Sequence, residues 1–246
     1  MGIKSKILDS IVIGNSLLSN TYYSKIIFYH DLHAEKFEIQ NKDSTDFNLF
    51  REHFQILKRL NFEIVEHINS QNKQVVICFD DGYRGILNFL DFFIQNNIKS
   101  KIFIITDSIN NKNFLTSEEI RELYNTNLFS FGLHTHNHVN LGHLKSEDEI
   151  KYQVMTCKNI LSEILNIEIT ELCLPRGIFS RRSIDLCHEL GITKIYGSFP
   201  TNKNLQNEIV LGRSLVQNAS PLKFQSILKG GDAILKHYYK RKHFVA

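Results

Sequence analysis

The chain has 246 residues, is 42% hydrophobic and carries a formal charge of only +3 at pH 7. That length and apolar content suffice for one large core and exclude a disordered or low-complexity chain. The small net charge excludes broad electrostatic binding of nucleic acid, which needs a concentrated basic surface. With three prolines and no low-complexity linker, one domain is expected over 1–246, with a core at about 24–220 and a basic tail. In chain order, Ile11, Val12, Ile13, Leu17 and Leu18 form an apolar patch that Asp9, Gly14 and Asn15 interrupt. It is too broken for a signal peptide or a span, so a packing helix is predicted. Residues 26–29 are an apolar strand ending in His30 and Asp31. Phe47, Phe50, Phe54, Leu57 and Leu60 then recur at helical spacing. A short strand at 62–65 and a longer one at 75–79 follow, then a helix over 86–95 and a strand over 101–105. Thr116 with Glu119, and Ser146 with Glu149, are capping boxes that open helices. A strand at 128–133 lies between them. Further strands fall around Leu172 and Ile195, with a helix between that stops at Gly191, and 208–211 is strand-like. The alternation predicts an α/β fold with a mostly parallel sheet wrapped by helices.

The strand at 75–79 ends in Asp80, Asp81 and Gly82. Adjacent strand residues face opposite ways, but past the strand end a glycine lets the chain turn, so both acids can serve one site. Two unpaired carboxylates beside an apolar core repel each other and need a cation or a role. Asp-Asp-Gly is also ordinary turn chemistry. The strand at 128–133 runs into His134-Thr135-His136-Asn137-His138. His134 and His138, four apart, can bring two imidazoles to one side of a tight loop, and a nearby carboxylate completes a three-ligand metal site. Thr135 can fix the loop by a local hydrogen bond. His136 reads equally as exposed, as a partner of the ligands or as a substitute ligand, and the whole stretch also reads as a His-rich surface loop.

Taken together, Cys78-Phe79-Asp80-Asp81-Gly82 and His134-Thr135-His136-Asn137-His138 resemble the first two motifs of the polysaccharide deacetylase (NodB-like) superfamily, carbohydrate esterase family four. The resemblance covers about residues 24 to 220 and implies an irregular, seven-stranded (β/α) barrel with its site at the C-terminal strand ends. It implies that Asp80 is the general base and that Asp81, His134 and His138 bind a divalent metal ion, zinc most simply. It also makes the amide of Tyr83 an oxyanion donor. The usual C-terminal Leu-x-x-His acid is missing. Instead, Tyr29-His30-Asp31 resembles the N-terminal Tyr-His-Asp of the circularly permuted poly-N-acetylglucosamine deacetylase branch, which makes His30 the acid, its ring held by Asp31 or another acceptor. The third motif, usually Arg-x-Pro-Tyr, is Cys173-Leu174-Pro175-Arg176 here, closer to a Tyr-Pro-x-Gly subgroup in which Pro175 and Gly177 shape a loop beside the site. Cys173 takes the place of the arginine that orients the base. Arg213 or Arg176 is the replacement expected.

The implied activity is removal of an N-acetyl group from an amino sugar of a bacterial surface glycan or its precursor. Removal of another acyl group such as formyl, and a catalytically silent carbohydrate-binding homologue, are the alternatives. Cys78, Cys157, Cys173 and Cys187 lack a Cys-x-x-Cys spacing, so buried free thiols and a reducing, cytoplasmic setting are expected. The tail from Lys236 to Phe244 mixes cations with aromatics. It reads as a solvated tail or as a weak contact with the inner membrane face.

Overall fold

The computed structural model describes residues 3–34, 43–203 and 208–245. Helix α1 (Ile3–Ser16) precedes strand β1 (Lys25–Tyr29). Short strands β2 (Asp31–His33) and β3 (Ser44–Asp46) pair in parallel and lead into α2 (Phe47–Arg59). Then come β4 (Glu63–Ile64), β5 (Gln74–Phe79), α3 (Leu90–Asn96), β6 (Ser100–Ile104), α4 (Ser117–Asn125), β7 (Phe129–Leu133) and α5 (Glu147–Leu165). The rest is β8 (Glu171–Cys173), β9 (Phe179–Ser180), α6 (Arg181–Glu189), β10 (Lys194–Tyr196), β11 (Ser214–Leu215), α7 (Pro221–Leu228), α8 (Lys236–His243) and β12 (Phe244–Val245).

Seven strands form the main sheet in the order β10-β8-β7-β6-β5-β1-β11, every pair parallel, while β4 lies along the start of β5. The sheet curls until one segment joins both edges. Ser214 pairs with Ile27 of β1, while Leu211 bridges back to Tyr196 of β10. The predicted irregular seven-stranded barrel is therefore the fold, with parallel strands connected by helices as such sheets require.

Strand alternation divides the core in two. Ile27, Tyr29, Val75, Ile77, Phe79, Ile102 and Leu133 point outward into the large core beneath the helices. Ile26, Phe28, Val76, Cys78, Phe103, Cys173 and Tyr196 point inward and form a small separate cluster. Gly132 makes that interior passable: a Cβ there would stand 2.6 Å from the Phe103 ring. The inward parity of 26 and 28 continues to His30, and that of 76 and 78 to Asp80. The barrel interior thus hands its side chains directly to the cavity above the strand ends.

Both predicted capping boxes are present at Thr116–Glu119 and Ser146–Glu149. Gly191 follows α6 in the left-handed region at φ +81°, as a helix stop requires. Two expectations need correction. The helix predicted over 86–95 begins as a 3-10 turn, Arg84–Phe89, and becomes α-helical only at Leu90. The strand expected at 208–211 forms later, at Ser214–Leu215, because only Leu211 of the earlier run finds a ladder partner, and Ile209 is 55% exposed. The basic tail is helical over Lys236–His243 and largely exposed, and the segments around it are packed. α7 buries Phe224, Ile227 and Leu228, α1 packs along α7, and β12 pairs with β9.

Candidate active site

Asp80 leaves β5 with its amide bonded to the Tyr29 carbonyl at 3.0 Å, so the β1–β5 ladder fixes where its carboxylate points. Arg213 donates to both oxygens, Nη1 to Oδ1 and Nη2 to Oδ2, each at 2.7 Å. Its Nε donates to the Gly197 carbonyl at 3.0 Å, and the guanidinium lies over Phe28 at 4.2 Å and Phe103 at 5.4 Å. This planar fork, fully buried, has hydrogen bonds along one edge and aromatic faces about its plane, a setting that suits arginine and not lysine. Cys173 completes the arrangement: Arg213 Nη2 lies 2.9 Å from its sulfur, which is 3.6 Å from Asp80 Oδ2. Burial by itself would raise the Asp80 pKa. The charge and paired hydrogen bonds of Arg213 outweigh it and hold the carboxyl well below the usual range. Arg176, the competing candidate, is exposed in the 3-10 turn Pro175–Gly177 at φ +55° and lines the cavity without a hydrogen bond to Asp80 among the described residues.

Asp81 and Gly82 both take left-handed backbone, φ +73° and +81°, which takes Asp81 out of the strand's alternation and swings it into the same cavity. A Cβ at Gly82 would sit 2.8 Å from Ile104, so the turn also needs the missing side chain. His134 follows β7, its amide bonded to the Ile104 carbonyl and its Nδ1 donating to the Cys173 carbonyl, both at 2.9 Å. That bond leaves a lone pair on Nε2. Nε2 faces Asp81 Oδ1 at 3.2 Å, and His138 Nε2 faces the same oxygen at 3.4 Å.

Asp81 Oδ1 is buried without a hydrogen-bond partner among the described residues. One orphaned carboxylate oxygen and two imidazole nitrogens converging within 4.8 Å form a donor set that a divalent cation satisfies. Burial raises the Asp81 pKa, but the neighbouring histidines outweigh it and keep the group ionised. Burial lowers the pKa of His138 and favours its neutral form. A second convergence, Asp80 with His134 and Cys173, fits a metal poorly, because Asp80 is spent on Arg213 and burial raises the thiol pKa. The loop is strained around this donor set: Thr135, a β-branched residue, and His138 both have positive φ, +63° and +60°. The local bond expected of Thr135 is absent, since its buried hydroxyl has no partner among the described residues. His136 stays outside the donor set, with Nδ1 on the Thr106 hydroxyl at 3.0 Å.

His30 lines the cavity with Asp80 and Asp81. Its ring is held by Gln217 and not by Asp31. Gln217 donates from Nε2 to Asp43 Oδ1 at 3.1 Å, which turns its carbonyl oxygen toward His30 Nδ1. Nδ1 therefore carries hydrogen, and Nε2 is the nitrogen left to exchange protons. Asp31 accepts instead from the amides of Leu32 and Gly85, and burial raises its pKa to about 6. Tyr83 stacks on Phe114 at 4.7 Å and bridges to it in the non-hydrogen-bonded manner, flanked by Arg84 N to Asn113 O and Leu115 N to Gly82 O. That pattern leaves its own amide unused by the bridge. Pro175 is buried, and Gly177, at φ +70°, lets the loop approach Ser198, where a Cβ would come within 2.7 Å. The cavity is about 1170 Å³ and is also walled by α1, α7 and α8 through Val12, Ile227 and His243. Gln217 and this C-terminal wall are the parts that sequence reasoning missed. The same-side parity of Arg213, Leu215 and Gln217, and the four-residue spacing of Tyr239 and His243, are the signals that could have found them.

A family model described as polysaccharide deacetylase matches residues 67–195, just over half of the chain. The Bacillus subtilis (strain 168) protein YxkH, named as a polysaccharide deacetylase, is 24% identical over 137 residues. The match takes in 54% of this chain and 48% of YxkH, so it spans about half the length of that relative. Among solved structures, IcaB from Ammonifex degensii superposes with a TM-score of 0.75 at 16% identity, covering 86% of this chain and 98% of that one. The Streptococcus pyogenes deacetylase PplD, in complex with acetate, gives 0.72 at 19% identity over 85% and 99% of the two chains.

Proposed function

The chain belongs to the polysaccharide deacetylase family, and from that premise we propose that it hydrolyses the N-acetyl group of an amino sugar in a bacterial surface glycan or its precursor. The observation that carries the reading is the division of labour between adjacent carboxylates. Asp80 is paired on both oxygens by Arg213 and keeps a further lone pair on each, whereas Asp81 turns an unsatisfied oxygen toward His134 and His138. A divalent cation, zinc most simply, held by Asp81, His134 and His138 would polarise the acyl oxygen and acidify a water.

The protein's own groups then divide the proton work. Asp80, kept ionised and aimed by Arg213, takes the proton of the attacking water. The Tyr83 amide donates to the developing oxyanion. His30 delivers a proton from Nε2 to the departing sugar amine, a poor leaving group without it. Arg176 lines the rim on which the sugar rests, with the buried Pro175 shaping the turn beneath it. All of 1–246 acts as one catalytic unit, supported by the packing of both chain ends around the cavity. The four cysteines are free and buried, which favours a reducing compartment and hence the cytoplasm. No described helix is long and apolar enough to cross a membrane.

Acetate release from N-acetylated glucosamine oligomers, with an N-formylated set alongside, tests the reading. Asp81→Ala should lose bound metal and turnover together. Asp80→Asn should keep the metal and lose turnover by roughly 10²–10⁴-fold. His30→Ala should slow amides by a similar factor and spare activated aryl esters. Full turnover in Asp80→Asn, or equal losses on amides and esters in His30→Ala, would remove the role concerned.

A further inference from the structure

We propose that the face built by α1, α7 and α8 docks on an anionic bilayer and sets one wall of the catalytic cavity at the lipid boundary. This goes beyond the deacylase reading and does not depend on it. Large apolar side chains are exposed on this face out of proportion to its size. Ile7, Ile11, Leu17 and Leu18, in α1 and just after it, are 40 to 86% exposed. At the other chain end Leu222, Ile234 and Tyr238 are 54 to 60% exposed. The two ends are one surface: α1 packs along α7 and along the turn Gly231–Leu235 that precedes α8. Asn15 donates to the Gly231 carbonyl at 3.0 Å, and Lys223 pairs with Asp9 at 2.6 Å.

Charge selects the occupant. Residues 6–18 and 221–244 hold seven Lys and Arg against two Asp, a surplus of five in a chain whose whole surplus is three. Both acids are neutralised internally, Asp9 by Lys223 and Asp232 by the buried Lys25. Lys6, Lys240, Arg241 and Lys242 are exposed. Apolar side chains interleaved with cations are what an interfacial anchor presents to acidic headgroups. A two-fold contact between copies would set this cationic face against itself, since such interfaces are self-complementary. Nucleic acid would leave the apolar side chains in water. The face also reaches the chemistry: Leu8, Val12, Ile227 and Tyr239 wall the same cavity as Asp80 and His134. A saccharide carried at a membrane surface would thus meet the site without leaving the interface.

The test uses the full chain with vesicles of phosphatidylcholine containing phosphatidylglycerol, against phosphatidylcholine alone. The protein should sediment with the mixed vesicles only, and less so as salt rises. The pair Ile7→Glu with Ile11→Glu, and separately the triple Lys240→Gln, Arg241→Gln, Lys242→Gln, should each lower the bound fraction about tenfold. Their thermal unfolding should match the parent. The chain has no tryptophan, so Tyr238→Trp gives a single reporter whose emission should shift blue on mixed vesicles. Sedimentation independent of phosphatidylglycerol, variants that bind like the parent, or an unshifted tryptophan would overturn the proposal. So would a dimer in light scattering that the Ile7→Glu, Ile11→Glu pair dissociates while vesicle binding is absent.

Discussion

The two ends of the barrel both bury carboxylates, and they treat them oppositely. At the N-terminal strand ends, Glu171 receives Lys101 at 2.7 Å, Lys194 at 3.2 Å and the Tyr196 hydroxyl at 2.8 Å. Lys101 also reaches the Ser130 hydroxyl at 3.1 Å. Both carboxylate oxygens there are bonded, and the cluster plugs the barrel. At the C-terminal strand ends only Asp80 is treated in this way. Asp81, its chain neighbour, has an oxygen that nothing in the described protein satisfies. The contrast separates two uses of buried charge. Saturated charge specifies one packing, whereas charge left one partner short is a socket for something that arrives.

The sharpest break of this comparison is to remove one cation from each end. Arg213→Met strands Asp80 and should cost about 3–5 kcal/mol of stability in urea unfolding, together with most of the turnover. Lys101→Met should cost a similar amount of stability and leave turnover of the surviving folded protein near the parent value. If Lys101→Met abolished turnover at full folding, the plug and the site would not be separable.

A smaller effect lies in pH. Burial would raise the Glu171 pKa, but Lys101 and Lys194, with the Tyr196 hydroxyl, bring it from 4.5 down to about 2. A carboxyl depressed in the folded state contributes stability that is full above the unfolded value and lost as pH falls toward the folded one. Glu171 should therefore contribute on the order of 3 kcal/mol above pH 4.5 and lose it between 4.5 and about 2. Asp80 is depressed further, so its share begins to fall below its unfolded value of 3.8 and goes on falling to still lower pH. Glu171→Gln should flatten acid unfolding in the upper part of that range. An unchanged acid limb would mean that the cluster does not discriminate between folded and unfolded chains.

The smallest effect concerns the amide that holds His30. Gln217→Glu puts a carboxylate on Nδ1 and should move the basic limb of the pH–rate profile upward, because an anion favours the imidazolium. Gln217→Leu should lower turnover about tenfold without moving metal content. A profile unmoved by Gln217→Glu would reduce Gln217 to a packing role.

Much of the first contrast was legible in the chain. Asp80 and His134 each follow an apolar run whose period of two sets which side they take, while Asp81 was reachable through the turn that Gly82 permits and His138 through its four-residue spacing from His134. His30 was reachable by the same parity. What stayed hidden depends on contacts distant in sequence: the cysteine in the third motif could be seen, but not that its sulfur would sit against Arg213 Nη2. Gln217 offered no chemistry of its own until Asp43 fixed its orientation. In the tail the cations dominate the composition, and the few residues that bind it to the cavity wall, such as Tyr239 and His243, are spaced for a helix but outnumbered.

Asp80 and Arg213 are separated by 133 positions, and the strand next to Arg213 is the one that joins both edges of the sheet. During synthesis the carboxylate emerges long before the guanidinium that neutralises it. A nascent chain halted anywhere before residue 213 holds an uncompensated anion at the centre of an open sheet, which opposes premature collapse of that region. Closing the barrel and pairing Asp80 with Arg213 are then a single event, so the proposed base is set in place only as the fold is completed.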